Sequence, residues 1–171
     1  GATFIICFFD NTSGDKRIRV HSDRQMIQVY RLFLNAVLSE TTLGLILKPK
    51  FAQIFSKHFP ELRNLAERAL ATGRCLFLDE GIHTTHALPT EAAQAADVAV
   101  SLLTGGTSTL ESFLSGVPTI YLDMEKLTVR PEYQWTHAVV YNSWEDMWSA
   151  IQAYRQNPAA QPHFGDLSPT I

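Results

Sequence analysis

Residues 98–111 read Val-Ala-Val-Ser-Leu-Leu-Thr-Gly-Gly-Thr-Ser-Thr-Leu-Glu, and their order is the strongest indication of the fold. Residues 98–102 are apolar apart from one serine, which predicts a short strand buried on both faces. The strand runs into a Gly-Gly turn, and the hydroxyl residues that follow are typical of the start of a helix. A buried strand that turns at once into a helix is half of a βαβ unit, so the stretch predicts a parallel α/β domain.

The rest of the chain repeats this alternation of strand and helix. Short apolar runs predict the strands, and apolar residues at helical spacing predict the helices between them. The predicted strands are residues 3–9, 43–47, 75–78, 98–102, 118–122 and 138–141. The predicted helices are residues 21–39, 51–71 with an interruption at Pro60, 89–96, 107–115 and 143–154. We therefore expect an α/β fold with a doubly wound, mainly parallel six-stranded sheet, in one domain over residues 1–158 followed by a truncated tail at 159–171.

Individual residues mark where these helices begin and end. Ser22, with Gln25 three residues later, predicts the N-cap of the first helix, and Ser143 predicts the N-cap of the last. Gly73 and Gly116 follow helical segments and predict their C-terminal ends.

Composition limits the classes of function. Of the 171 residues, 46% are hydrophobic and 18% are charged, which indicates a globular domain rather than a disordered chain. The net charge of -3 argues against a nucleic-acid partner, because such proteins usually carry a basic patch. No apolar run approaches the ~20 residues that span a bilayer. Cys7 and Cys75 lie in apolar runs with a spacing that fits neither a disulfide framework nor a zinc site, which favours a reducing, cytoplasmic compartment.

The Gly-Gly-Thr-Ser-Thr loop has the chemistry of an anion site. Gly105 and Gly106 let the backbone approach a ligand closely, and the helix that follows offers unpaired N–H groups and the positive end of its dipole. Thr107 and Ser108 add hydroxyl donors, and Glu111, one turn into the helix, could accept hydrogen bonds from ribose hydroxyls. The same residues also suit an ordinary capped helix after a turn. Neither the dinucleotide fingerprint nor a P-loop is present.

A longer run resembles a known family. From Ala96-Asp97-Val98 through the loop to Gly116-Val117-Pro118, the sequence is similar to the carboxyl-terminal domain of GT-B glycosyltransferases, above all the lipid-linked peptidoglycan and the surface or capsular polysaccharide transferases. The resemblance implies that Gly105, Gly106, Thr107 and Ser108 bind the diphosphate of a nucleotide sugar. It also implies that Glu111 binds the ribose.

The resemblance carries further expectations for the whole enzyme. The donor would be a nucleotide sugar, with a UDP-sugar favoured, and no cofactor or metal would be needed because the helix terminus stabilises the leaving diphosphate. An amino-terminal domain of the same enzyme would bind the acceptor and supply the general base, so no catalytic residue is assigned and this chain alone is expected to be inactive. Peripheral association with the inner face of the membrane is a further expectation.

Other loops supply secondary candidates. Lys48 ends a strand where surface-polysaccharide transferases place a cation that faces the phosphates, and Ser13 lies in the loop after the first strand; both are candidates for diphosphate binding. His86 and Leu88 are candidates for base binding, because the family places this loop against the nucleobase. A solvated surface is the alternative for each. His83 and His86 could suggest a metal site, but no further ligands complete it.

Two alternative functions remain. Thr128-Val129-Arg130-Pro131-Glu132 is similar to a loop of UDP-N-acetylglucosamine 2-epimerases, which share the fold. A non-catalytic flavodoxin-like or response-regulator-like module is the other alternative, because Asp10, Asp79 and Glu80 partly mimic the acidic cluster of a response regulator.

Overall fold

A parallel sheet forms the centre of the molecule. The computed structural model describes residues 1–11, 13, 21–50, 55, 59–78, 88–103, 107–126, 139–160 and 164. Within this part of the chain, the strands are β1 (Phe4–Phe9), β2 (Leu43–Lys48), β3 (Cys75–Phe77), β4 (Val98–Leu102), β5 (Thr119–Leu122) and β6 (Val140–Tyr141). They form one six-stranded sheet in the order β3-β2-β1-β4-β5-β6, and every neighbouring pair is parallel. The predicted fold class is confirmed.

The strand order separates two classes of doubly wound fold. The observed order is that of dinucleotide-binding domains, whereas flavodoxin-like and response-regulator-like domains have the order 2-1-3-4-5. The flavodoxin-like alternative from the sequence is therefore wrong for the described strands.

Helices cover both faces of this sheet. They are α1 (Asp23–Ser39), α2 (Arg63–Ala71), α3 (Pro89–Gln94), α4 (Thr107–Leu114) and α5 (Trp144–Gln156), with 3-10 turns at Pro60–Leu62 and Pro158–Ala160. In the predicted second helix, Phe55 is helical, and a 3-10 turn interrupts the segment at Pro60, because proline has no N–H to continue a helix. Most of residues 51–58 lie outside the described residues.

The two faces carry separate apolar clusters, as strands buried on both sides require. Phe8 belongs to the larger cluster, where it packs between Tyr30 and Phe33 of α1. Cys7, its neighbour along the strand, belongs to the smaller cluster with Ala92 and Ala93 of α3. Both faces of β1 are thus covered, and β1 lies at the centre of the sheet.

Hydrogen bonds fix both ends of α1. The Ser22 side chain accepts a bond from the Gln25 N–H, which confirms the predicted N-cap. At the other end, Arg74 Nη1 donates to the carbonyl oxygens of Val37, Glu40 and Leu43 at 2.8, 2.6 and 2.8 Å. These carbonyls belong to the end of α1 and the start of β2, so one guanidinium joins both to the segment that enters β3.

The helix α5 is fixed near the beginning of the chain. Ser143 caps its N-terminus, as predicted, and Arg155 forms a 2.8 Å ion pair with Glu40. Tyr154 contacts Phe4 edge-on at 6.4 Å between ring centroids and stacks on Phe164 at 4.7 Å. Of the predicted tail at 159–171, Phe164 thus packs against the domain. No helix in the described ranges is long and apolar enough to cross a membrane.

Candidate functional site

The sheet has a switch point between β1 and β4. The chain leaves β1 toward β2 and β3 and returns to the opposite side of β1 to form β4. In open parallel sheets, ligands bind at the carboxyl ends of the strands at such a point. Phe9 of β1 lies level with Ser101 of β4, so the residues that follow these two define the edge of the candidate site.

A buried pair of hydroxyl groups fixes α4 at this edge. The Thr109 hydroxyl donates a hydrogen bond to Ser101 Oγ, and both side chains are buried. Ser101 in turn donates to the Leu102 carbonyl at 3.2 Å. The first turn of α4 is therefore joined to the last residues of β4, and its free N–H groups lie at the carboxyl edge.

The structure describes two of the four predicted diphosphate-binding residues of this loop. Thr107 begins α4 and is exposed, whereas Ser108 is half-buried. Gly105 and Gly106 lie outside the described residues. The arrangement gives an exposed helix start with a positive dipole end, which suits an anion.

Glu111 lies one turn after Thr107 on the outer side of α4. It is exposed, and it shares this side with Leu110 and Leu114, which are 44% and 74% exposed. The buried side of the helix carries Thr109 and Ser112 instead. The predicted ribose ligand is thus accessible from solvent.

Lys48 ends β2, on the other side of β1 from β4. It is half-buried and lies level with Phe9, one residue before Asp10. Its charge lowers the pKa of Asp10 and the pKa of Cys7, although burial outweighs both effects. The predicted cation therefore lies beside the carboxyl end of β1.

Asp10 follows β1 directly and was not among the predicted ligands. It accepts hydrogen bonds from Tyr30 Oη at 2.8 Å and from the Lys50 N–H at 2.5 Å. Burial raises the pKa of Asp10 to about 6, and the two hydrogen bonds and the charges of Lys50 and Lys48 oppose that rise. A carboxylate immediately after a buried strand at the switch point was the available sequence signal.

Asn11 is the next residue and is buried, with 8% of its surface exposed. Its Nδ2 atom has no hydrogen-bond partner within the described ranges. An unpartnered buried donor thus follows β1 at the carboxyl edge of the sheet.

Ser13 contacts the start of α1. Its hydroxyl donates a 2.6 Å hydrogen bond to Asp23, the first residue of that helix, and its backbone forms a parallel bridge with His21. The hydroxyl hydrogen of this predicted phosphate ligand is therefore held by a carboxylate in the structure.

His21 was not among the candidate site residues predicted from the sequence. It is buried, and its Nδ1 lies 3.2 Å from Gln25 Oε1. Burial lowers the pKa of His21, while the Gln25 hydrogen bond and the charges of Glu125 and Asp123 oppose the decrease. The loop after β5 therefore faces the start of α1, a contact between distant segments that no local pattern predicts.

The base-binding candidates lie before α3. Leu88 is 58% exposed, and its N–H donates a 2.8 Å hydrogen bond to Glu91. α3 packs against α4, which brings Leu88 to the same side of the sheet as α4. His83 and His86 lie outside the described residues. Among the residues that the structure does describe, no group of three or more His, Cys, Asp or Glu side chains is placed to hold a metal ion.

Comparison with known proteins establishes the fold. No family model and no curated protein matches the sequence. The C-terminal CMP-Kdo binding domain of WaaA from Acinetobacter baumannii is similar in structure, with a TM-score of 0.59 and 14% identity over 96% of this chain and 86% of that chain. MnaA from S. aureus, solved with UDP, gives a TM-score of 0.58 and 15% identity over 97% of this chain and 41% of that chain. This chain thus spans less than half of MnaA. Both neighbours have GT-B-type folds, and the chain has the same GT-B-type α/β fold that its sequence resembles.

Proposed function

We propose that the chain is the nucleotide-sugar-binding domain of a GT-B glycosyltransferase that acts in surface polysaccharide or glycolipid synthesis. The observation that carries the proposal is the start of α4, which the Thr109–Ser101 hydrogen bond joins to β4 at the switch point. The similar fold of a CMP-Kdo binding domain and of a UDP-bound protein supports a nucleotide-sugar ligand.

The chemistry follows from the position of that helix. The diphosphate would lie at the first turn of α4, near Thr107 and Ser108, with Lys48 as a second positive group. Backbone N–H groups and the helix dipole would stabilise the charge that develops on the leaving phosphate without a metal ion. The acceptor and the general base would come from an amino-terminal domain, so the chain alone binds the donor and does not turn it over.

The outer side of α4 and the start of α3 would bind the nucleoside. Glu111 would accept hydrogen bonds from the ribose, and Leu88 and His86 would lie against the base. A UDP-sugar is the proposed donor, and the full enzyme would work at the cytoplasmic face of the membrane.

A sugar-nucleotide epimerase is the second candidate. The fold of this chain is nearly as similar to UDP-bound MnaA, with a TM-score of 0.58, as to the CMP-Kdo binding domain, with a TM-score of 0.59. The epimerase-like residues 128–132 lie outside the described residues. Conversion of a UDP-sugar by the full enzyme without any acceptor would favour this candidate over the transferase.

Calorimetric titration of the chain with UDP, GDP, CDP and CMP tests the proposal. We expect one of them to bind with micromolar to millimolar affinity, about -4 to -8 kcal/mol. Glu111→Ala should weaken that binding, whereas the control Glu67→Ala, an exposed residue of α2 on the other face of the sheet, should not. Absence of binding by all four nucleotides, or equal binding by both variants, would contradict the proposed site.

A further inference from the structure

The Asp10 carboxylate joins three separate segments at the carboxyl edge of the sheet. Asp10 itself follows β1. Its Oδ2 accepts a 2.8 Å hydrogen bond from Tyr30 Oη of α1, and its Oδ1 accepts a 2.5 Å hydrogen bond from the Lys50 N–H in the turn after β2. Each carboxylate oxygen thus holds a different segment.

Tyr30 is a rigid donor for this carboxylate. Its side chain is fully buried, and its ring makes edge-on contacts with Phe8 at 5.6 Å and with Phe55 at 4.8 Å between centroids. A third ring, Phe59, lies at 5.9 Å. The aromatic cluster fixes Tyr30, so the hydrogen bond to Tyr30 fixes the Asp10 carboxylate.

The segment held by the other oxygen carries two lysines. Lys48 is half-buried at the end of β2, Pro49 is buried, and Lys50 is exposed. The groups that act on the charge of Asp10 are these two lysines from the turn and Tyr30 from α1. Burial raises the pKa of Asp10 to about 6, so this carboxyl group changes its charge near neutral pH.

We propose that Asp10 is a positioning residue for the anionic part of the ligand. A carboxylate oxygen of Asp10 holds the turn of Lys48 and Lys50 in place, and the negative charge of Asp10 weakens the attraction of these lysines for the ligand. The inference rests on the proposed function, because it concerns the same anion site. It separates two roles within one side chain: the oxygen strengthens ligand binding, and the charge weakens it.

Protonation of Asp10 should therefore strengthen anion binding. The neutral acid still offers an oxygen to the Lys50 N–H, so the turn stays in place, while the charge that opposes the lysines is removed. The contribution of Asp10 to ligand affinity should become more favourable as the pH falls from 7.5 to about 5.5, the range in which Asp10 takes up its proton.

Two variants distinguish the role of the Asp10 oxygen from the role of its charge. Asp10→Asn keeps an oxygen for the Lys50 N–H and removes the charge, so we expect UDP or CMP to bind about threefold to tenfold more tightly at pH 7.5. Asp10→Ala removes both, and loss of the turn should weaken binding about tenfold. The ratio of the wild-type and Asp10→Asn dissociation constants, measured from pH 5.5 to 7.5, cancels the titration of the nucleotide itself and should approach one at low pH.

Amide hydrogen exchange at Lys50 tests the geometry without a ligand. Exchange should be slow in the wild type and in Asp10→Asn and clearly faster in Asp10→Ala, because only the last lacks the acceptor. Equal exchange in all three would overturn the positioning role. Binding that weakens equally in Asp10→Asn and Asp10→Ala, or a ratio that does not change with pH, would overturn the role of the charge. A wild type that binds no nucleotide would overturn the proposed function, and with it this inference.

Discussion

Asp97 is hydrogen-bonded to Ile5 through both its side chain and its backbone. Its Oδ2 accepts a 2.7 Å bond from the Ile5 N–H, and its own N–H donates a 2.8 Å bond to the Ile5 carbonyl. The contact lies where β1 and β4 begin, at the edge of the sheet opposite the candidate site. The aspartate of the Ala-Asp-Val motif therefore aligns the two central strands and does not contact a ligand at the switch point.

Asp97→Ala should lower stability and leave nucleotide affinity unchanged. Loss of the acceptor leaves the half-buried Ile5 N–H without this bond, which costs about 1 kcal/mol of the free energy of unfolding. Asp97→Asn keeps an oxygen and should lose less. Urea denaturation measures the stability, and calorimetry with the preferred nucleotide measures the affinity. A folded Asp97→Ala variant with weakened binding would contradict this assignment.

Thr109→Val should affect both stability and ligand binding. The substitution removes the hydroxyl that joins α4 to Ser101 and keeps the shape of the side chain. We expect a loss of about 1–2 kcal/mol in the free energy of unfolding and a several-fold weaker affinity, because the start of α4 is no longer fixed to β4.

Thr109→Ser is the matched control, since it keeps the hydroxyl and removes a methyl group. Its stability should also fall, but its nucleotide affinity should stay near that of the wild type. Equal affinities for Thr109→Val and the wild type would show that this hydrogen bond does not position the site.

The strands were the most predictable part of the fold. Residues 98–102 were predicted as a strand with the bounds that the structure shows, because a continuous apolar run between turn residues has few other structures available. Ser22 and Ser143 were predicted as N-caps because the preference is local. β1, β3 and β5 are each one residue shorter than predicted, and β6 is limited to Val140–Tyr141, because the apolar pattern does not fix the terminal residue of a strand.

The candidate site was predictable only where its signal is local. Thr107 and Ser108 follow a buried strand and a Gly-Gly pair in the sequence, a pattern that spans only a few residues. The contact of Asp10 with Tyr30 joins residues 20 positions apart, and the approach of His21 to Asp123 joins residues about 100 positions apart. Both depend on the strand order, which the apolar pattern does not specify.

Gly116→Ala should lower stability through backbone strain alone. Gly116 has a φ of +82°, and a Cβ atom added there would meet no heavy atom within 4 Å. The left-handed conformation costs about 1–2 kcal/mol for a residue with a side chain. Gly73, with a φ of +68° and equally open surroundings, should show a similar loss as Gly73→Ala.

Asparagine at the same position is the control for this argument. Gly116→Asn should lose less stability than Gly116→Ala, because asparagine adopts the left-handed region more readily. Urea denaturation of the three variants provides the comparison. A Gly116→Ala variant as stable as the wild type would show that strain at this turn is relieved elsewhere.

Asn11→Ala should change the free energy of unfolding of the unliganded protein by no more than about 1 kcal/mol. The substitution loses packing contacts, but it also removes a buried donor that has no partner, and the two effects offset each other. Thr119→Val is the comparison, since this buried hydroxyl donates a 2.7 Å hydrogen bond to the Val117 carbonyl and its removal should cost about 1 kcal/mol. If the Asn11 amide serves the ligand, affinity falls in Asn11→Ala and not in Thr119→Val. The reverse pattern would make Asn11 a purely structural residue.

The pH dependence of stability should differ between the wild type and Asp10→Asn. The pKa of Asp10 is raised from 3.8 to about 6 by burial, so between these values the folded state holds a proton that the unfolded state has released. The stability contributed by Asp10 therefore rises as the pH falls from about 7 to about 4, by at most about 3 kcal/mol. His21 acts in the opposite direction, because its lowered pKa makes the unfolded state take up the proton first. The difference between the two proteins removes the His21 contribution, which both share. Urea denaturation at pH 7.5 and 4.5 should show a stability gain for the wild type relative to Asp10→Asn at the lower pH. An equal change of stability in both proteins would contradict the raised pKa of Asp10.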